Sequence, residues 1–201
     1  SKVYGEVYEP IVAMMPQLRR RHKYVLETLF APPLTLTHGD AHIENVFYDA
    51  RFSGGCAFID FGNMMYSQGC FDLAFFMCHS IDVETRRATE ERVVKAYHAS
   101  LVANGVDAAA YTYDRCWFDY KFNVWKALIS ILAMGPNIEQ MWRRKKGIFA
   151  EKPSKGDAML KEMYEKLNER CIAALLDHKW LDLVLEGDTY CGVCSCCAYT
   201  Y

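Results

Sequence analysis

No stretch of the chain approaches the roughly 20 uninterrupted apolar residues that a membrane-spanning helix needs. The opening SKVYGEVYEP also lacks the apolar core of a secretory signal. Both absences argue against a membrane partner and lead us to expect a soluble, cytoplasmic protein. Charge of one sign is missing too: 23 Lys and Arg stand against 25 Asp and Glu, a formal charge of −2. No global field is therefore available to recruit nucleic acid. The short basic runs Arg19–Lys23 and Arg143–Lys146 read as solvated helix faces. Internal repeats and long low-complexity segments are absent as well. Partners must be read from local sites.

What is present suffices for one domain with a real core, since 52% of the 201 residues are hydrophobic and 14% aromatic. Of the nine cysteines, Cys56, Cys70, Cys78, Cys116 and Cys171 lie singly in apolar segments, which predicts reduced, buried thiols. The tail CGVCSCC gathers Cys191, Cys194, Cys196 and Cys197. Its C-x-x-C spacing suits zinc, but a second, separated pair is missing. The cysteines also do not occupy the positions that prenylation requires, so the tail reads as redox-sensitive and flexible.

Apolar spacing predicts a helix over Gln17–Phe30, with Leu18, Val25, Leu26 and Leu29 on one face and Pro32 and Pro33 stopping it. Short strands are expected at Leu34–Thr37, Asn45–Tyr48 and Cys56–Ile59, the last two joined by a loop over Asp49–Gly55. A polar loop then leads to Phe71–His79. Helices are expected over Glu84–Asn104, ended by Gly105; over Tyr113–Met134, ended by Gly135 and Pro136; and over Asp157–Leu176. Aromatic and Met residues on these stripes are read as core packing rather than as a ligand box.

Chemistry concentrates in LTHGDAHIEN, Leu36–Asn45, and in FIDFG, Phe58–Gly62. Four residues separate Asp40 from Asn45, the spacing of a kinase catalytic loop in which an acid orients the attacking hydroxyl and an amide binds a metal. Asp60, Phe61 and Gly62 reproduce the metal-binding tripeptide that follows such a loop. A magnesium-bound triphosphate needs hard oxygen ligands, which a carboxylate and an amide supply while phosphate oxygens and waters complete the shell. An Asp is ionised near neutral pH and can serve an accepting hydroxyl. His38 and His42 suit loop-bracing hydrogen bonds better than zinc, because no third ligand stands at a suitable spacing.

THGDAHIEN matches the H-G-D-x-H-x-x-N signature of the aminoglycoside phosphotransferase and choline kinase superfamily, and FDLA at Phe71–Ala74 matches its D-L-A element. The loop DFGNMMYSQGCFDLAFF and the later YHASL resemble the ecdysteroid-kinase-like branch most. The resemblance covers roughly residues 34–76. It implies an α+β, mostly helical chain: the C-terminal lobe of a protein-kinase-like fold, with a small β-hairpin catalytic core and a helical subdomain. It further implies that Asp40 is catalytic, that Asn45 and Asp60 hold Mg²⁺ and the ATP co-substrate, and that Asp72 braces the catalytic loop. For Asp72 alone, the residue reading is a carboxylate complementing a helix N-terminus.

On this reading residues 1–78 form the catalytic core, 79–186 a helical substrate subdomain and 187–201 a cysteine-rich tail. Such a kinase also needs a lobe covering the nucleotide. Only 37 residues precede His38, with Gly5 as their one glycine, so that lobe is expected upstream or in another chain. The function expected is transfer of the γ-phosphoryl group to a hydroxyl of a small molecule, with a non-catalytic binding or scaffolding remnant as the alternative. Asp114 and Asp119 could meet a cationic acceptor, and Trp117, Tyr120 and Trp125 could pack on a sterol or quaternary amine, but at least one face of that helix must be core, so none of them is named as a site.

Overall fold

The computed structural model describes residues 2–146 and 155–187. Its helices are α1 (Lys2–Leu29), α2 (Cys70–His79), α3 (Val83–Ala103), α4 (Tyr113–Lys146), α5 (Lys155–Asp177) and α6 (Trp180–Leu185). Four short strands lie between α1 and α2: β1 (Thr35–Thr37), β2 (Val46–Tyr48), β3 (Cys56–Phe58) and β4 (Met65–Ser67). They form two antiparallel pairs, β1 with β4 and β2 with β3. The chain is mostly helical with a small β region, as the sequence predicts. Cys191, Cys194, Cys196 and Cys197 lie outside the described residues.

Apart from Asp72 and its last residue His79, α2 is apolar, with Cys70, Phe71, Ala74, Phe75, Met77 and Cys78 all buried, so most of it has to be surrounded. It packs chiefly on α4 and also on α5 and α3. α1 adds one stripe, Ile11, Met14, Leu18, Val25 and Leu29, at the three-and-four spacing of a helix face. Leu26, expected on that face, is exposed. α3 starts on a true cap: the Asp82 carboxylate accepts the Thr85 N–H at 2.9 Å. It ends where Gly105 turns left-handed at φ +98°.

Two helix ends differ from the sequence reading, both at prolines. α1 begins at Lys2 rather than Gln17 and runs through Pro10 and Pro16. A proline inside a helix costs about 3 kcal/mol. Burying Ile11 and Met14 on the continued stripe returns about 1.5–3 kcal/mol per side chain, which offsets much of that cost. α4 likewise continues past Gly135 and Pro136 to Lys146; a proline removes one hydrogen bond and bends a helix without having to end it. The strand β4 and the helix α6 escaped prediction. β4 is three residues long and owes its form to β1, through Thr35↔Ser67, Leu36↔Tyr66 and Thr37↔Met65. α6 is six residues, set off from α5 by Lys179 at φ +47°.

The aromatic stripes are core. Trp117 stacks on Tyr120 with centroids 5.4 Å apart, and Trp125 on Trp180 at 4.7 Å. Asp119 is buried, accepting from Arg115 at 2.7 Å and from the Tyr111 hydroxyl at 3.0 Å. These groups are spent on one another, whereas Asp114 lies exposed on the first turn of α4.

Burial gives α2 a pH dependence. His79, its last residue, packs against Phe75 with ring centroids 3.7 Å apart and planes tilted by 50°, and its Nε2 is buried without a partner. Desolvation pushes its pKa from 6.5 down to about 4. The unfolded chain thus binds the proton first as pH falls. Stability should fall between pH 6.5 and 4 and level off below, a loss of about 3 kcal/mol at the lower limit. Urea midpoints across that range should show the decline, and His79→Leu should flatten it; an unchanged slope in the variant would exclude His79 as the source.

Candidate active site

The site is built where β1 runs into the loop before α2. Thr37 closes β1, its Oγ1 donating to the Met65 carbonyl at 2.9 Å. The next residues are held from α2: the Asp72 carboxylate accepts the His38 N–H at 2.7 Å and the Gly39 N–H at 2.9 Å. Asp72 lies in the first turn of α2, where the dipole favours an anion. One carboxylate therefore satisfies two backbone donors and anchors the loop to the most buried helix. Gly39 is at φ +82°, and a Cβ there would lie 2.0 Å from the Asn63 carbonyl oxygen. Only glycine lets the two loops approach this closely.

The β2–β3 hairpin brings Asn45 and Asp60 together. Asn45 immediately precedes β2, and its carbonyl accepts the Ile59 N–H at 3.0 Å, extending the ladder one step beyond Val46↔Phe58. Asp60 follows Ile59 and takes the left-handed conformation, φ +61° and ψ +61°, which Asp tolerates better than most residues. His38 completes the join. Its Nε2 lies 2.8 Å from the Ile59 carbonyl, to which it donates, and its Nδ1 accepts the Asp40 N–H at 3.3 Å. Both ring nitrogens are thus engaged, which leaves none for a metal.

Asp40 is half-buried beside this join. Its Oδ2 accepts from Asn63 Nδ2 at 3.2 Å, and its Oδ1 is 3.7 Å from His42 Nε2. Asn45 is buried, its Nδ2 donating to the Asp40 carbonyl at 3.0 Å and to His42 Nε2 at 3.2 Å. With the amide nitrogen occupied, Oδ1 is the atom left for a cation. Asp60 is exposed. An amide oxygen and a carboxylate at adjoining strand ends are a hard, two-oxygen donor set, which suits Mg²⁺ completed by phosphate and water. Among the described residues no cluster of three or more His, Cys, Asp or Glu has metal-binding geometry.

Residues 3–108 match the ecdysteroid kinase-like family. The chain belongs to this family. It is 27% identical over 89 residues to a protein of Caenorhabditis elegans described as an uncharacterized kinase-like protein; the match covers 44% of the chain and 23% of that relative. The ecdysteroid kinase-like chain thus spans about a quarter of the curated relative it matches. No solved structure matches it.

Two residues of this kinase-like site escaped the motif reading. Asn63 is the fourth residue of D-F-G-N, and its polar side chain directly after the tripeptide was the available signal. Lys126 lies 81 residues from Asn45 in the middle of α4, where an apolar stripe hides it. Its Nζ donates to Ser67 Oγ at 2.5 Å and sits 4.2 Å over the Phe71 ring. Burial lowers its pKa while the Asp72 charge raises it. No sequence spacing announces that contact.

Proposed function

We propose that the protein transfers the γ-phosphoryl group of magnesium-bound ATP to a hydroxyl of a small molecule. The observation that carries this reading is the single lock joining Asp72, His38, Gly39 and Ile59, which sets Asp40, Asn45 and Asp60 at one edge of the β region. Phosphoryl transfer through a loose transition state asks mainly for such positioning and for charge neutralisation. Asp40 orients the acceptor hydroxyl and takes its proton. Asn45 Oδ1 and the Asp60 carboxylate would hold the magnesium ion, which when bound neutralises the phosphate oxygens.

The family description makes a hydroxylated steroid the first acceptor to try. Leu36, Phe47, Tyr48, Phe61 and Tyr66 are exposed on and beside the two hairpins. A nucleotide-covering lobe, supplied by residues outside these 201, would take that apolar surface.

The test is titration of magnesium-ATP into the full-length gene product and its variants. Asp60→Ala should weaken binding by at least about 10–100-fold, the range seen even for outer-shell partners of a metal. Asn45→Ala should cost less, because it removes a neutral ligand. Both should fold. Parental affinity in either variant would remove that residue from the coordination shell, and a folded parent without nucleotide binding would defeat the reading.

A further inference from the structure

The four fully buried cysteines, Cys70, Cys78, Cys116 and Cys171, are not isolated, as their sequence positions had suggested. Cys70 opens α2 and faces Cys116 of α4, Sγ to Sγ 3.7 Å. Cys78, near the other end of α2, is close enough to Cys171 on α5 to add to the burial that pushes that thiol up. Burial explains why thiols are in the core; it does not explain their meeting two by two across helix interfaces.

The first pair is next to the candidate active site. Cys70 stands two residues before Asp72, in the same first turn of α2. A disulfide needs its sulfurs about 2.05 Å apart, so closing the 3.7 Å gap draws them together by about 1.7 Å. The Asp72 carboxylate holds His38 and Gly39 through bonds of 2.7 and 2.9 Å, which have little slack for a shift of that size.

We propose that Cys70 and Cys116 are a reversible oxidation site for hydrogen peroxide, and that their disulfide displaces the first turn of α2 and releases the His38–Gly39 backbone from Asp72. Bridge formation does not depend on the phosphotransferase reading. Both thiols are buried to 1% exposure or less, which excludes a bulky disulfide oxidant and requires that a small peroxide reach them through transient opening of the interface between α2 and α4.

Cys116 reacts first. The two thiols share a contact in which either sulfur can be the donor; it holds the Cys116 thiol below its usual range and, with burial, pushes Cys70 well up. The Cys116 thiolate attacks one peroxide oxygen and the O–O bond breaks. The departing hydroxide takes up the proton that Cys116 released and leaves as water, so Cys116 becomes a sulfenic acid. The Cys70 sulfur then attacks the Cys116 sulfur. The S–S bond forms as the S–O bond breaks, and the leaving hydroxyl takes the Cys70 proton to give a second water. Two sulfurs have lost two electrons and one peroxide has gained them.

The experiment treats the full chain with hydrogen peroxide, maps peptides without reduction, and follows amide hydrogen exchange over residues 36–41 before and after dithiothreitol. The expected result is a peptide joining Cys70 to Cys116 that has lost two hydrogens, with exchange at His38 and Gly39 several-fold faster. Dithiothreitol should reverse both changes. Cys70→Ala and Cys116→Ala should each abolish the cross-link and the exchange response together. If neither variant folds, the oxidised and re-reduced parent carries the comparison alone. Sulfinic acid without a bridge, a bridge confined to Cys78–Cys171 or to the tail cysteines, or a Cys70–Cys116 bridge with unchanged exchange would each overturn the proposal.

Discussion

Asp40→Asn should lower turnover by about 10²–10⁴-fold, the usual range for a positioned acid–base group, while magnesium-ATP affinity changes little. The asymmetry follows from the geometry. Asp40 receives Asn63 Nδ2 at 3.2 Å and lies 3.7 Å from His42. The candidate cation ligands, Asn45 Oδ1 and Asp60, stand across the join made by Ile59. An Asn at position 40 keeps the shape but loses the charge that aligns the hydroxyl and takes up its proton. In a loose transition state the proton leaves late, so the loss is chiefly orientational and electrostatic. The measurement pairs nucleotide affinity with steady-state phosphoryl transfer in the full-length gene product. Near-parental turnover would refute the role of Asp40. An inactive parent that still binds nucleotide would instead favour a binding module.

Much of the candidate site was legible because its residues are close in sequence. His38 to Asn45 form one loop, Asp60 follows a hairpin whose strands β2 and β3 are joined by only seven residues, and Asp72 follows 12 residues after Asp60. Local motifs therefore carry the layout. Lys126 was invisible for the opposite reason: its meeting with Ser67 depends on how α4 lies against α2, which no short spacing encodes. The fold divides the same way. Amphipathic stripes marked α3 and α5 to within two residues, since their periodicity is intrinsic. The prolines of α1 and α4 misled because a local penalty was judged without the burial that offsets it. The strand β4 needed its partner in order to exist.

The thiol pairs show a third kind of concealment. Each cysteine sits in an apolar run whose sequence predicts burial and nothing more. Pairing is a property of two helix faces in contact, and α2 offers a thiol at each end because most of it is enclosed. A helix so enclosed couples whatever happens at its flanks to the one polar group it sends outward, Asp72.

The largest stability effect should come from the buried ionic cluster that pins α3 to the rest of the core. Arg86 is 1% exposed; its Nη1 donates to Glu90 Oε2 at 2.7 Å and its Nη2 to Asp177. That same Glu90 oxygen accepts the Tyr120 hydroxyl at 2.9 Å and His178 Nε2 at 3.2 Å. Burial opposes the charge on Glu90, yet the bonds from His178 and Arg86 hold its carboxyl below the usual carboxylate range. Glu90→Ala would leave the Tyr120 phenol and the His178 imidazole without this acceptor and the Arg86 guanidinium with Asp177 alone, and breaking a buried pair in this way costs about 3–5 kcal/mol. The double variant Arg86→Met with Glu90→Leu should recover most of that loss, because an apolar pair of similar volume carries no desolvation penalty. Urea midpoints for the parent, Glu90→Ala, the singles Arg86→Met and Glu90→Leu, and the double make the comparison and close the cycle. A Glu90→Ala loss below about 1 kcal/mol, the worth of an exposed pair, would show that the cluster is solvated and does not hold α3 in place.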